Sequence, residues 1–142
     1  MKRFRFRLQR VLDVRERMRD EARQELVAKN AARDQAQRIL EELEQSALQS
    51  SVTEGGTYSA SDLLMLGDYH ARLKREIACQ EEVVARAQAE AEEARERYVA
   101  ASKDAKSIEM LKQKRLIEYR DDALKQEGAE LDELTVQRHG RK

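Results

Sequence analysis

The chain has 142 residues with no proline and no tryptophan, and 39% of them are charged against 4% aromatic, which leaves too little large apolar surface to fill a globular core. Apolar residues still reach 40%, and Ala, Glu, Leu, Arg, Lys and Gln dominate, the composition of long helices and coiled coils rather than of a disordered chain. Since 28 basic residues balance 28 acidic ones, the chain as a whole has no net attraction for nucleic acid or an anionic membrane, and the single Cys79 excludes an internal disulfide and fits a reducing compartment.

The opening stretch, MKRFRFRLQRVLDVRER, carries the charges of a signal peptide but lacks the uninterrupted apolar run that must come after them. The longest strongly apolar run anywhere is Leu63–Leu64–Met65–Leu66, far short of a membrane span. A cytoplasmic protein with no transmembrane segment is expected. Residues 1–19 hold eight basic side chains against Asp13 and Glu16, a local excess of six on a neutral chain. Such an end can meet phosphates or an acidic protein surface. Without stacking aromatics or a DNA-binding motif, nucleic acid is the weaker reading.

Stepping by fours and threes from Phe4 gives Phe4, Leu8, Val11, Arg15, Met18, Ala22, Glu25, Lys29, Ala32, Ala36, Ile39 and Leu43, and nine of these twelve are apolar. That is one face of a helix with a 3.5-residue repeat, expected over about 4–49. Leu12, Leu26 and Leu40 lie beside this seam and widen it. Next comes SSVTEGGTYSAS, with Gly55–Gly56 and no periodicity, a turn over about 50–59. Ser59 and Asp62 have the spacing of a capping box, so a second helix starts about here and runs to about residue 137, with a short flexible end beyond it.

Along the second helix Leu63, Leu66, Leu73, Ile77, Val84, Ala87, Ala91, Ala94, Tyr98, Ala101, Ala105 and Ile108 hold one heptad phase, which then shifts to Leu116, Tyr119, Ala123, Leu131 and Leu134. At 1.5 Å per residue the helices measure about 70 and about 115 Å. Folding back at the turn sets Leu8 near Ser102, leaves an overhang of roughly 45 Å, and makes the phase shift coincide with the loss of the partner helix. The expectation is therefore all-α: a long antiparallel two-helix coiled-coil hairpin, a single domain of residues 1–142, with a protruding C-terminal helix. A parallel dimer of one very long helix is the rival, opposed by Gly55–Gly56 and the cap. Alanine-rich packing from Ala85 to Ala105 buries little area, so a frayed middle is expected.

Motifs for chemistry are absent. There is no phosphate-binding glycine loop and no GxSxG, His70 and His139 lie far apart, and one cysteine cannot make a zinc set. His70 reads as a seam-edge imidazole and Cys79 as a small unreactive residue. No catalytic residue, cofactor or metal is expected; function should lie in surfaces.

The stretch FRFRLQRVLDVRERMRDEARQELVAKN resembles the N-terminus of the FliJ family of flagellar type III export, which commonly starts F-x-F-x-L-x-x-V-L, positions held here by Phe4, Phe6, Leu8, Val11 and Leu12. After the turn, Leu66, Tyr69, Leu73, Ile77 and Gln80 match a second patch, L-x-x-Y-x-x-x-L-x-x-x-I-x-x-Q, from which Gly67 departs as a potential kink. The resemblance implies an antiparallel coiled coil similar to the gamma subunit of rotary ATP synthases. Its termini would sit in the pore of the hexameric flagellar export ATPase and its tip would meet the cytoplasmic domain of the membrane export gate. It would promote ATPase assembly and proton-driven export and handle export chaperones, at the cytoplasmic face of the inner membrane.

On that resemblance Arg3, Arg5, Arg7, Arg10, Arg115 and Arg120 are assigned to the ATPase, and Ile39, Leu43, Tyr69, Leu73 and Ile77 to the gate. Leu73 and Ile77 also suit a plain hydrophobic seam, and Tyr69 is the best exposed anchor. Other readings are the equivalent YscO-like stalk of a virulence secretion system, a generic coiled-coil scaffold or tether, and a hairpin that binds nucleic acid.

Overall fold

A computed structural model describes residues 2–50 and 56–141. They form two helices, α1 (Gln9–Gln49) and α2 (Ala60–Gly140), with no strand among the described residues. The chain is all-α, and the two long helices pack against each other. Part of the expected turn, including Gly55, lies outside the described residues.

Local chemistry sets the start of α2. The Ser59 backbone N–H donates to Asp62 Oδ2 at 3.2 Å and the Asp62 N–H donates to Ser59 Oγ at 3.1 Å. This reciprocal cap is the one the spacing promised. The Ser59 hydroxyl first, and its backbone N–H second, hold the Asp62 carboxyl below its ordinary value of 3.8. Gly67 and Gly128 both lie inside α2, which continues through them.

Packing divides the chain into two compact units, Glu21–Tyr98 and the pair of segments Met1–Asp20 with Val99–Lys142. In the first, Ala36, Leu40 and Val84 form the buried core, with Ile77 and Ala87 against it. Four contacts fix an antiparallel register: Glu25 Oε1 with Arg97 Nη2 at 2.8 Å, Lys29 Nζ with Glu90 Oε2 at 3.1 Å, the Gln80 amide donating to the Ala36 carbonyl at 2.9 Å, and His70 Nε2 with the Ser50 carbonyl at 2.9 Å. In the second unit Leu12 and Ala105 are buried and Arg15 pairs with Asp104 at 3.6 Å.

The register corrects the expected one. Leu8 shares a cavity with Leu111 rather than facing Ser102, so α2 is displaced by roughly ten residues, or about 15 Å, from the expected pairing. The cause is visible in the first unit: with Ser50 level with His70, residues 60–69 run past the end of α1. Leu63, expected in the seam, is consequently exposed. The seam also outlasts the phase shift. Leu116, Tyr119 and Ala123 remain half-buried, and only from Leu124 onward is every described residue exposed.

On α1 the buried face is Leu12, Arg15, Arg19, Ala22, Leu26, Lys29, Arg33, Ala36, Leu40, Leu43 and Ala47, all buried or half-buried. Half of the expected seam is therefore one residue off: Val11, Met18, Glu25, Ala32 and Ile39 are exposed. Of the charged members, Lys29 and Arg15 reach across to Glu90 and Asp104, while Arg19 and Arg33 pair with Asp20 and Asp34 on their own helix.

Candidate interaction surfaces

Residues 2–6 are not helical. Phe4 and Phe6 are half-buried while Arg3, Arg5 and Arg7 are exposed, the two-residue alternation of an extended segment. This corrects the reading of Phe4 as part of a helix face. Arginine at a helix N-terminus opposes the helix dipole, which favours the later start at Gln9. Two contacts hold the segment on α2: the Phe4 ring lies 5.5 Å from the Tyr119 ring at 49°, and the Tyr119 hydroxyl donates to the Lys2 carbonyl.

Between this segment and α2 is an open cavity of about 800 Å³, lined chiefly by Phe4, Phe6, Leu8, Leu111 and Tyr119 with a charged rim. Lys2, Arg3, Arg5, Arg7 and Arg115 supply five cations to that rim, against Glu118 and Asp122. Arg115 spends part of its charge on Glu118 at 3.4 Å. Thus four of the six basic residues singled out from the sequence, Arg3, Arg5, Arg7 and Arg115, come together around one opening. Arg10 and Arg120 do not line it; both are exposed.

A second, shallower groove lies in the unit Glu21–Tyr98. Ile39, Leu43 and Val83 form its apolar walls, and Arg72, Arg75, Glu76, Cys79 and Gln80 surround them. Ile39 and Leu43 were singled out from the sequence, whereas Arg72, Arg75 and Val83 were missed. Heptad reasoning seeks apolar seams and passes over charged flanks. The other three residues of that set sit elsewhere. Leu73 is only 5% exposed and Ile77 packs on the Ala36–Leu40–Val84 core, so both act in the seam. Tyr69 is half-buried, with the Arg72 guanidinium 5.5 Å from its ring and the His70 ring edge-on at 6.2 Å.

Among the described residues no group of three or more His, Cys, Asp or Glu side chains could hold a metal ion, and no helix is long and apolar enough to cross a membrane. The family model described as "Flagellar FliJ protein" matches residues 4–142. The chain belongs to the FliJ family. No curated protein and no solved structure gave a match. Membership makes it a component related to flagellar export, in a family of non-enzymatic proteins. In this FliJ-family chain the matched span begins at Phe4, the residue that docks the basic segment on Tyr119.

Proposed function

We propose that this protein is a stalk that links the hexameric flagellar export ATPase to the cytoplasmic domain of the membrane export gate and promotes ATPase assembly and export. The protein would work in the cytoplasm, held at the inner membrane by the export apparatus, and would also meet export chaperones. The observation that carries the reading is the docked basic segment: Arg3, Arg5 and Arg7 converge with Arg115 around an apolar opening. Charges fixed at the rim of such a surface steer encounter with an acidic partner and set its orientation. Arg10 and Arg120 extend the same basic end. The gate-facing surface is the groove of Ile39 and Leu43, joined to Tyr69 outside it by the Arg72 side chain, which lines the groove and lies over the Tyr69 ring; Leu73 and Ile77 act from the seam.

The test is the rate of the purified export ATPase against added protein at several salt concentrations. Stimulation should saturate at a small fraction of one stalk per ATPase subunit, and should weaken at high salt and when Arg3, Arg5, Arg7 and Arg10 are changed together to Ala. No stimulation of an ATPase shown to be hexameric overturns the reading. For the gate surface, Tyr69→Ala should lower binding to the isolated gate domain with helicity unchanged, and unchanged binding removes Tyr69 from the site.

A further inference from the structure

In the unit formed by Met1–Asp20 and Val99–Lys142, α2 carries a second apolar stripe that the intramolecular seam does not use. Met110, Ile117, Leu124 and Leu131 recur every seven residues and are 59–66% exposed. The seam in this span runs instead through Lys112, Leu116, Tyr119 and Ala123. One apolar residue per heptad is a narrower stripe than a full coiled-coil seam, but left in water it is an edge that a second helix can cover.

We propose that this stripe is covered by the same stripe of a second copy, paired antiparallel. The even spacing admits a two-fold axis at the Arg120–Asp121 bond, which brings Met110 level with Leu131 of the other copy and Ile117 level with its Leu124. The feature that selects this occupant and its direction is charge, which reverses across the same point. Before it lie Lys112, Lys114, Arg115 and Arg120, relieved only by Glu118; beyond Lys125 come Glu127, Glu130, Asp132 and Glu133. Antiparallel pairing lays the basic half of each copy along the acidic half of the other, whereas parallel pairing stacks like on like. Among the described residues Lys114, Glu127 and Glu130 make no ion pair within the chain. Their charges are therefore available to a partner.

Two helices meeting over such a span bury on the order of 1,000 Å², the lower end of specific interfaces. The inference does not depend on the stalk reading. It draws on Arg115 and Arg120, which that reading gives to the ATPase, so the dimer and the seated stalk are alternative states. Its test uses the full chain alone, with no ATPase or gate present.

Sedimentation equilibrium should show a monomer–dimer equilibrium that weakens with salt. Ile117→Asp with Leu124→Asp should abolish it, and Glu127→Lys with Glu130→Lys should weaken it about tenfold or more; both sites are exposed, so helicity is expected to be retained. Orientation is read separately with a spin label at Glu109→Cys, beside the stripe, in a Cys79→Ser background. The antiparallel pair sets the two labels of a dimer about 35 Å apart, 23 residues along the helix. A monomer at every concentration, a dimer indifferent to the aspartate pair, or labels side by side as in a parallel pair would each overturn the proposal.

Discussion

Asp62 shows how much one side chain can set. Its carboxylate accepts from the Ser59 N–H, and its own N–H donates to the Ser59 hydroxyl, closing the first turn of α2. Because the folded carboxyl titrates below 3.8, its contribution is fully present above the unfolded value and is lost as pH falls through the folded one. In NMR titrations the Ser59 amide shift should therefore track a midpoint below 3.8, and Ser59→Ala should move the Asp62 midpoint back up toward it. A wild-type midpoint at or above the ordinary value would show that the cap does not form. Phe4 plays a similar local part at the other end. Half-buried against Tyr119, it contributes about 1–2 kcal/mol to docking residues 2–6, less than a fully buried phenylalanine. Phe4→Ala should speed trypsin cleavage after Arg3 and Arg5 several-fold with helicity unchanged. An unchanged rate would mean that the Tyr119–Lys2 hydrogen bond alone holds the segment.

At the scale of elements, α2 carries two interior glycines that nothing in its packing demands. A methyl group added at Gly67 or Gly128 meets no atom within 4 Å. Gly67→Ala and Gly128→Ala should each therefore favour the helix by about 0.5–1 kcal/mol, seen as higher helicity and slower amide exchange around the site. A loss of helicity at Gly67 would point to strain in the turns beyond α1. The same local rules made the helices legible. The cap, the ends of the turn and the phase of α2 from Leu66 to Ile108 can all be read from the sequence. The phase of α1 could not, because counting began at Phe4, which lies in the extended segment and shares no helical frame with the α1 residues after it. The count also favoured Val11, Met18 and Ile39 over Arg19 and Arg33, since apolar residues mark a seam in sequence even where half-buried arginines belong to it. The FRFR alternation was itself the signal for an extended segment, and so for the candidate basic surface. The groove near Ile39 depends on which residues of α2 come opposite α1, and that register was misjudged by about 15 Å.

Over the whole molecule, the composition that excluded a globular core also decides what kind of seam is possible. With so few large apolar residues, α2 presents Ala91, Ala94 and Ala105, all buried, and α1 supplies half-buried cationic side chains and the widely spaced leucines Leu12, Leu26 and Leu40. Small residues on one side let the backbones approach closely, so stability comes from fit and not from area alone. Two opposite outcomes then discriminate between a loose seam and a fitted one. If the seam were loose, as the alanine-rich sequence suggests, Ala94→Leu would fill space and raise stability. Ala94 is 1% exposed, however, so added carbons have nowhere to go without parting the helices. Urea unfolding should show Ala94→Leu destabilised by about 1–3 kcal/mol, the cost of overpacking a filled site. Leu12→Ala, which empties a site only 3% exposed, should cost about 2–4 kcal/mol. Losses at both positions would establish a seam fitted at its small and its large residues alike, and a gain at Ala94 would return the middle of the coiled coil to the frayed state its composition suggests.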